Sequence, residues 1–324
     1  MSEQGLDGWV PFRIFWPGPE PWVEWCYLGS RRFTDPFFAT TMHFEVATPF
    51  NTLFRRHTPM SELARWRGES PGIEPGGFIF HMSRCGSTLI TRLLAASPEH
   101  LVLSEPEPLH AMARSHLRAP AAPVEQRIEW LRCLLSALAQ PRGGAERRLF
   151  VKFDPWDVFM LPLLLQAFPR VPWLFVYRDP VEVLVSNQRG TPIFLSPGML
   201  GAELPDLDPA QAVAMDPDEF AARMLGAILR HAVSRFPDPL GMLVNYSELP
   251  GAIWGRIGRH FGLDFTDAEI ERLRQAAEAD AKNPGRKFAP DSESKRREAS
   301  PHTRALADAW MLEAYTTLEA VRHL

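Results

Sequence analysis

The hydrophobic positions change their period along the chain. From Phe78 onward, short apolar runs alternate with longer amphipathic stretches. Five runs have strand length: Gly77–Met82, Leu101–Ser104, Arg148–Phe153, Pro172–Tyr177 and Gly241–Asn245. They are nearly continuous in apolar residues, as strands buried on both faces are. Helical periodicity covers 87–96, 124–139, 156–168, 180–188 and 217–235, and then 250–262, 267–280 and 302–322. Such alternation predicts an α/β fold, a three-layer arrangement with a parallel β-sheet flanked by helices. Ligands of these sheets bind outside the carboxyl ends of the strands, so functional residues are expected just after each run.

Residues 1–72 have another texture. Five of the ten tryptophans (Trp9, Trp16, Trp22, Trp25, Trp66) fall there among phenylalanines and prolines. Trp22–Leu28 and Thr40–Ala47 are rich in aromatic and β-branched residues and read as strands. The segment is expected to be a small, β-containing, aromatic-rich extension whose rings serve as core, or alternatively as a wall over a substrate site. PGIEPGG (71–77) reads as the linker to an α/β domain over 73–324.

Composition narrows the function classes. Lys plus Arg number 35 against 39 Asp plus Glu, a formal net charge of −4, which argues against broad binding of nucleic acid or anionic membrane. Cys26, Cys85 and Cys133 lie far apart without CxxC spacing, so a disulfide framework or cysteine zinc site is not expected. No HExxH or EF-hand pattern implies a metal. The start MSEQGLDGWVPFRIFW lacks a basic region followed by a long apolar one, and the most apolar run, Val158–Leu165, contains Pro162. A soluble, cytoplasmic protein is the expectation. Proline is in excess at 31 residues, about twice the usual ~5% share.

The most informative stretch is GFIFHMSRCGSTLITRLL, an apolar strand turning through Arg84 and Gly86 into a helix opened by Ser87 and Thr88. A helix start after a glycine turn offers unpaired N–H groups and a positive dipole end, a ready phosphate site. The plainer alternative is a capped helix start. The NTPase pattern G-x-x-x-x-G-K-[ST], aligned on Gly86, would need Gly at His81 and Lys at Ser87, and neither is present. A second strand-to-helix turn, WLFVYRDPVEVLVSNQR (173–189), places Ser186 about two helical turns beyond Arg178. There an arginine can fork onto phosphate oxygens while a hydroxyl donates from the side.

These two motifs resemble those of the sulfotransferase family. SRCGSTLITRLL is similar to its 5′-phosphosulfate loop, usually PRSGTTLL or PKSGTT, and YRDPVEVLVS to its 3′-phosphate motif. The resemblance implies a P-loop-like sulfotransferase fold and the donor PAPS (3′-phosphoadenosine 5′-phosphosulfate), with PAP as product and no required metal. It places Arg84, Cys85, Gly86, Ser87 and Thr88 around the phosphosulfate, and Arg178 and Ser186 on the 3′-phosphate. Ser83 replaces the usual proline, and Cys85 a small Ser or Ala, as filler rather than nucleophile. LVNYSELPGAIWGRIGRHFGL (243–263) resembles a further family segment and adds Tyr246. KNPGRKFAPDSESKRR (282–297) loosely matches the family's basic cofactor loop, with Arg286, Lys287, Lys295 and Arg296 as candidates. A solvated basic loop is the alternative there.

Sulfuryl transfer needs a base for the acceptor hydroxyl and charge stabilisation on the leaving phosphate. LVLSEPEPLH delivers Glu105 and Glu107 at the end of the second strand run, where several carbohydrate sulfotransferases place a catalytic glutamate. Glu105 is the candidate base and Glu107 the reserve, with His100 and His110 as further alternatives; an ion pair to an arginine would instead make Glu105 structural. LFVKFDPWD ends the third strand with Lys152, a lysine costly to bury unless it meets an anion. Lys152 is read as stabilising the leaving group or sulfate, with neutralisation by Asp154 the alternative. The Gly/Pro-rich segment 190–218 reads as a lid beside the acceptor. The expected enzyme is a PAPS-dependent sulfotransferase acting on a small-molecule, carbohydrate or lipid acceptor. A kinase-like phosphotransferase and a non-catalytic nucleotide-binding protein are the rivals.

Overall fold

The computed structural model describes residues 6–197, 208–282 and 285–323. Two sheets organise them. The first is antiparallel, in the order β1-β2-β3, from β1 (Trp9–Phe15), β2 (Trp22–Tyr27) and β3 (Arg56–Pro59). Val10, Pro11, Ile14, Val23, Trp25 and Cys26 are its buried residues, three from each of the first two strands. The Trp25 indole N–H donates to Thr58 Oγ1 at 2.9 Å, so a buried aromatic keeps its polar atom satisfied.

The second sheet has five strands in the order β5-β6-β4-β7-β8 and is flanked by helices. Its members are β4 (Pro75–His81), β5 (His100–Ser104), β6 (Arg148–Lys152), β7 (Trp173–Tyr177) and β8 (Gly241–Asn245). All five coincide with the runs read from sequence to within two residues. The near-continuous burial of β5 and β7 explains why those runs carry no polar alternation. The α/β class and the antiparallel N-terminal strands are as expected.

The chain divides into two compact units. One comprises residues up to Ile79 together with Thr88–Pro172; the other comprises Phe80–Ser87 and the chain from Trp173 onward. In the first unit β6 pairs in parallel with β4 and β5, Ser104 standing opposite Lys152. In the second, β7 pairs in parallel with β8 from Trp173↔Gly241 to Tyr177↔Asn245.

Several elements differ from expectation. Thr40–Ala47 is not a strand: Phe38–Glu45 is a helix that buries Phe38, Thr41 and Met42, an i, i+3, i+4 set on one face. The Thr41 hydroxyl donates to Asp35 at 2.7 Å, which satisfies the polar atom on that buried face. Pro75–Gly77, read as linker, already belong to β4. The expected helix 156–168 is a 3₁₀ stretch, Pro155–Met160, followed by the helix Leu161–Ala167 with Pro162 in its first turn. The stretch 250–262 is interrupted at Gly255, whose φ −100° and ψ −111° are not helical. The last helix breaks at Met311, giving Pro301–Trp310 and Leu312–Val321. Of the proposed lid, 198–207 lie outside the described residues; before them Ile193–Leu195 form a 3₁₀ turn with Phe194 and Leu195 buried.

Candidate active site

The loop after β4 turns through left-handed backbone at Ser83 (φ 80°), Arg84 (φ 52°) and Gly86 (φ 85°). Among the described residues only one other non-glycine, Glu105 (φ 56°), has a positive φ. Such residues cost roughly 1–3 kcal/mol each, and cluster where backbone is held for function. The Ser83 N–H donates to His81 Nδ1 at 3.0 Å, helping to fix the first of these turns. At Gly86 a Cβ would stand 2.7 Å from Leu249 Cδ1 and 2.9 Å from the Tyr246 ring, so glycine is required by space as well as by φ. Cys85 is buried, its thiol 3.1 Å from the Val176 carbonyl. Ser87 and Thr88 are buried at the start of the helix Ser87–Ala95, whose first-turn N–H groups have no intrahelical partner. Arg84 is directed to the end of the helix Pro180–Gln188. Its Nε donates to Asn187 Oδ1 at 3.3 Å and its Nη2 to the Gly190 carbonyl at 2.5 Å. Burial pulls its pKa below the usual arginine value.

β7 feeds Arg178 into the second turn. Asp179 caps the helix Pro180–Gln188 by accepting from the Glu182 N–H at 3.1 Å, with Pro180 supplying the preset first-turn φ. Arg178 is buried and fully engaged. Its Nε donates to Glu182 at 2.6 Å, its Nη2 to Asp291 at 2.8 Å and to Ser292 Oγ at 3.0 Å, and its Nη1 reaches the Arg84 carbonyl at 3.5 Å. The guanidinium carbon lies 3.9 Å from the centre of the Tyr246 ring. Lys295 Nζ meets the other Asp291 oxygen at 2.7 Å, and Arg296 Nε meets Glu182 at 2.8 Å. Burial alone would lower the Arg178 pKa, but the bonds to Asp291 and Glu182 raise it. Burial outweighs Asp291 at Lys295, whose pKa falls, while Lys295 and Arg178 hold Asp291 below the usual carboxylate range against the effect of burial.

The second unit therefore gathers Arg84, Arg178, Tyr246, Lys295 and Arg296 with Glu182 and Asp291. Ser186 sits half-buried on the helix that Asp179 caps. Arg286 and Lys287 are exposed on a separate turn closed by the Ala279–Lys287 bridge and by the Asp280 N–H donating to the Arg286 carbonyl at 2.7 Å. Among the described residues neither pairs with Glu182 or Asp291, the carboxylates that hold Arg178. Glu182 and Asp291 were not picked out from sequence, though a signal existed: each lies four residues from a basic partner, Arg178 and Lys295.

In the first unit, the parallel register of β5 and β6 sets the chemistry. The Glu105 N–H donates to the Lys152 carbonyl at 2.7 Å, extending the ladder one residue past β5. The Glu105 carboxylate then meets Lys152 Nζ at 2.6 Å. Lys152 is 1% exposed, with Thr88 Oγ1 at 3.5 Å and the Phe37 ring centre at 4.9 Å. Lys152 is thus ion-paired with Glu105. Burial of the Asp154 carboxyl, with Asp157 and Glu105 nearby, pushes that group well above the carboxylate range. His110 Nδ1 lies 2.6 Å from Asp157 Oδ1, and the other Asp157 oxygen accepts from the Asp154 N–H at 3.2 Å. Ligand atoms of His110, Asp154 and Asp157 fall within 4.8 Å of one another; those of His110 and Asp157 bond each other, while Asp154 reaches Asp157 through its backbone N–H. His100 Nδ1 bonds the Leu94 carbonyl at 2.8 Å at the far end of β5, and Glu107 is exposed at the start of the helix Glu107–Ala113.

Neither a protein-family model nor a curated protein sequence matches the chain. Solved structures similar to it include the sulfotransferase STF9 from Mycobacterium avium, at 15% identity over 80% of this chain and 81% of that one, with a TM-score of 0.48. A sulfotransferase from Alicyclobacillus acidocaldarius aligns at 16% identity over 77% of this chain and 96% of that one, TM-score 0.44. Mouse sulfotransferase SULT7A1, crystallised with PAP, aligns at 12% identity over 81% and 91%, TM-score 0.45. The functional reading rests on the chain's own residues. Among the described residues, no helix is long and apolar enough to cross a membrane.

Proposed function

We propose that the chain is a PAPS-dependent sulfotransferase that transfers a sulfuryl group to a hydroxyl of a small-molecule, carbohydrate or lipid acceptor, an amine being the lesser alternative. Residues 73–324 are the proposed transferase domain and 1–72 its extension. The observation that carries the reading is the junction of the two anion motifs: the Arg178 guanidinium reaches the backbone carbonyl of Arg84, inside the loop itself, at 3.5 Å. Two strand-to-helix turns far apart in sequence thereby bring two arginines together in one unit, on the loop that opens the helix Ser87–Ala95, an arrangement suited to a donor carrying phosphate at both its 5′ and 3′ positions.

The loop Arg84–Thr88 takes the phosphosulfate, and Arg178, Ser186, Lys295 and Arg296 take the 3′-phosphate, with Tyr246 beneath Arg178. In the transfer step the acceptor oxygen forms a bond to sulfur while the bond from sulfur to the bridging phosphate oxygen breaks. The hydroxyl proton passes to Glu105, and the charge left on the bridging oxygen is met by Lys152, whose ammonium is already held between Glu105 and Thr88. Positioning and electrostatics carry the step, and no metal is invoked. The reading is tested by incubating the protein with isotopically labelled PAPS and a metabolite extract, then searching by mass spectrometry for labelled sulfate esters. Esters that form only with protein support it. A protein that binds PAP yet sulfates nothing across hydroxyl classes, with Glu105→Gln behaving like the parent, fits the non-catalytic rival.

A further inference from the structure

The N-terminal sheet displays a rigid aromatic tip that neither anion site uses. Phe50 is 44% exposed, Leu53 76% and Phe54 60%, and all three lie between the helix Phe38–Glu45 and β3; Phe44, 61% exposed, lies within that helix. The rings of Phe50 and Phe54 are continuous with the edge of the sheet: Phe54 meets Phe50 at 5.0 Å, Phe50 meets Tyr27 at 5.1 Å, and Tyr27 meets Trp9 at 5.4 Å. Isolated exposed apolar residues are ordinary, but a contiguous group of this kind marks an interaction surface.

The tip is pinned by its polar atoms. Asn51 accepts from the Tyr27 N–H at 2.7 Å and donates to the carbonyls of Tyr27 at 2.9 Å and Glu45 at 3.0 Å. Thr48 caps the helix Pro49–Leu53. The backbone is therefore held with Leu53 and Phe54 outward, and little ordering is lost when they are covered. Charge then selects the cover. Arg55 follows Phe54 directly, is exposed and has no ion pair among the described residues. The Arg56 guanidinium lies over the Trp9 ring at 5.6 Å, on the same aromatic row. Among the described residues, Glu45 and Asp35 pair with Arg31, and Glu24 with Arg13 and His57.

We infer that this tip, Phe50, Leu53 and Phe54 with Arg55 and Arg56, docks the protein on an anionic lipid surface. Exposed aromatic and leucine side chains enter the headgroup boundary while arginines beside them meet anionic headgroups. A second copy of the chain fits less well, because a two-fold contact through the tip would bring each arginine pair against its own copy. The inference is independent of the proposed chemistry.

The full-length protein is sedimented with vesicles of phosphatidylcholine alone and of an equal mixture with phosphatidylserine, at low and high salt. Binding to the mixed vesicles, weakened by salt, is expected. Leu53→Ser combined with Phe54→Ser is expected to lower it by about tenfold or more at unchanged circular dichroism, from the apolar area lost. Arg55→Glu is expected to weaken binding to the mixed vesicles while sparing what little binding the neutral ones show. Failure of the parent protein to bind mixed vesicles overturns the inference, as does equal binding to both vesicle types. Binding undiminished in the Leu53/Phe54 variant overturns it too. So does a concentration-dependent dimer abolished by that variant, which would assign the tip to a second copy.

Discussion

Arg178 donates through Nη2 to Asp291 at 2.8 Å, and the same carboxylate meets Lys295 Nζ at 2.7 Å. An acidic side chain thus sits between two of the cations assigned to the 3′-phosphate. An incoming phosphate must displace it or share its partners, so Asp291 sets an internal competitor for the ligand. Asp291→Asn removes the negative charge while keeping a hydrogen-bond acceptor. The affinity for PAP is expected to rise by roughly fivefold to tenfold, on the order of 1 kcal/mol, measured by calorimetry. Unchanged or weaker binding by a folded variant would show that Asp291 does not compete.

With Glu105 as the proposed base, the Glu105–Lys152 pair offers a test that separates donor binding from transfer. Glu105→Gln retains an acceptor oxygen for Lys152 but removes the base. The transfer rate is expected to drop by about 10²–10⁴-fold. PAP affinity should stay within roughly twofold, since the donor is assigned to other residues. Equal loss of both quantities would make Glu105 a structural partner of Lys152.

Phe37 ties the N-terminal segment to this chemistry. Its ring centre lies 4.9 Å from Lys152 Nζ, and a desolvated cation–π contact is worth up to about 2 kcal/mol. Phe37→Ala is expected to slow transfer by roughly tenfold while Phe37→Tyr restores most of it. Steady-state rates of both variants check this, and an Ala variant as fast as the parent would leave Phe37 as packing alone.

Asp154 predicts a pH dependence of stability. Its folded-state pKa is raised by burial and by Asp157 and Glu105, so the folded chain holds this proton over a window where the unfolded chain has released it. The stability it contributes is full below the ordinary carboxylate pKa of about 4 and is lost as pH rises through the folded-state value. Asp154→Asn keeps the side-chain shape and capping ability, so its melting temperature should exceed the parent's at neutral pH and converge on it in acid. A variant less stable at neutral pH would contradict the assigned direction.

What the sequence made legible was local. Strand, turn and helix are contiguous in each case, so both strand-to-helix turns proposed as anion sites could be found by eye, as could the runs forming β4 to β8. The partners were not local. Asp291 lies 113 residues from Arg178, and only the folded chain brings them together. Lys152 was expected to meet either an anion or Asp154. The parallel register that sets Ser104 opposite Lys152 gave it Glu105 instead. Thr40–Ala47 misled because its β-branched and aromatic residues favour strands, whereas the burial of Phe38, Thr41 and Met42 follows a helical period. The basic loop divided: Lys295 and Arg296 joined the Arg178 network, while Arg286 and Lys287 remained on an exposed turn.

The most direct test is a calorimetric titration of the folded protein with PAP in the presence of a metal chelator, repeated with ATP and magnesium and with Arg178→Ala. Stoichiometric PAP binding without metal is predicted, tighter than that of ATP, and weakened by about a hundredfold or more in the variant, because the bond lost is a charge-assisted one in a buried site. No PAP binding, or magnesium-dependent ATP binding tighter than that of PAP, would contradict the assignment of a PAPS site.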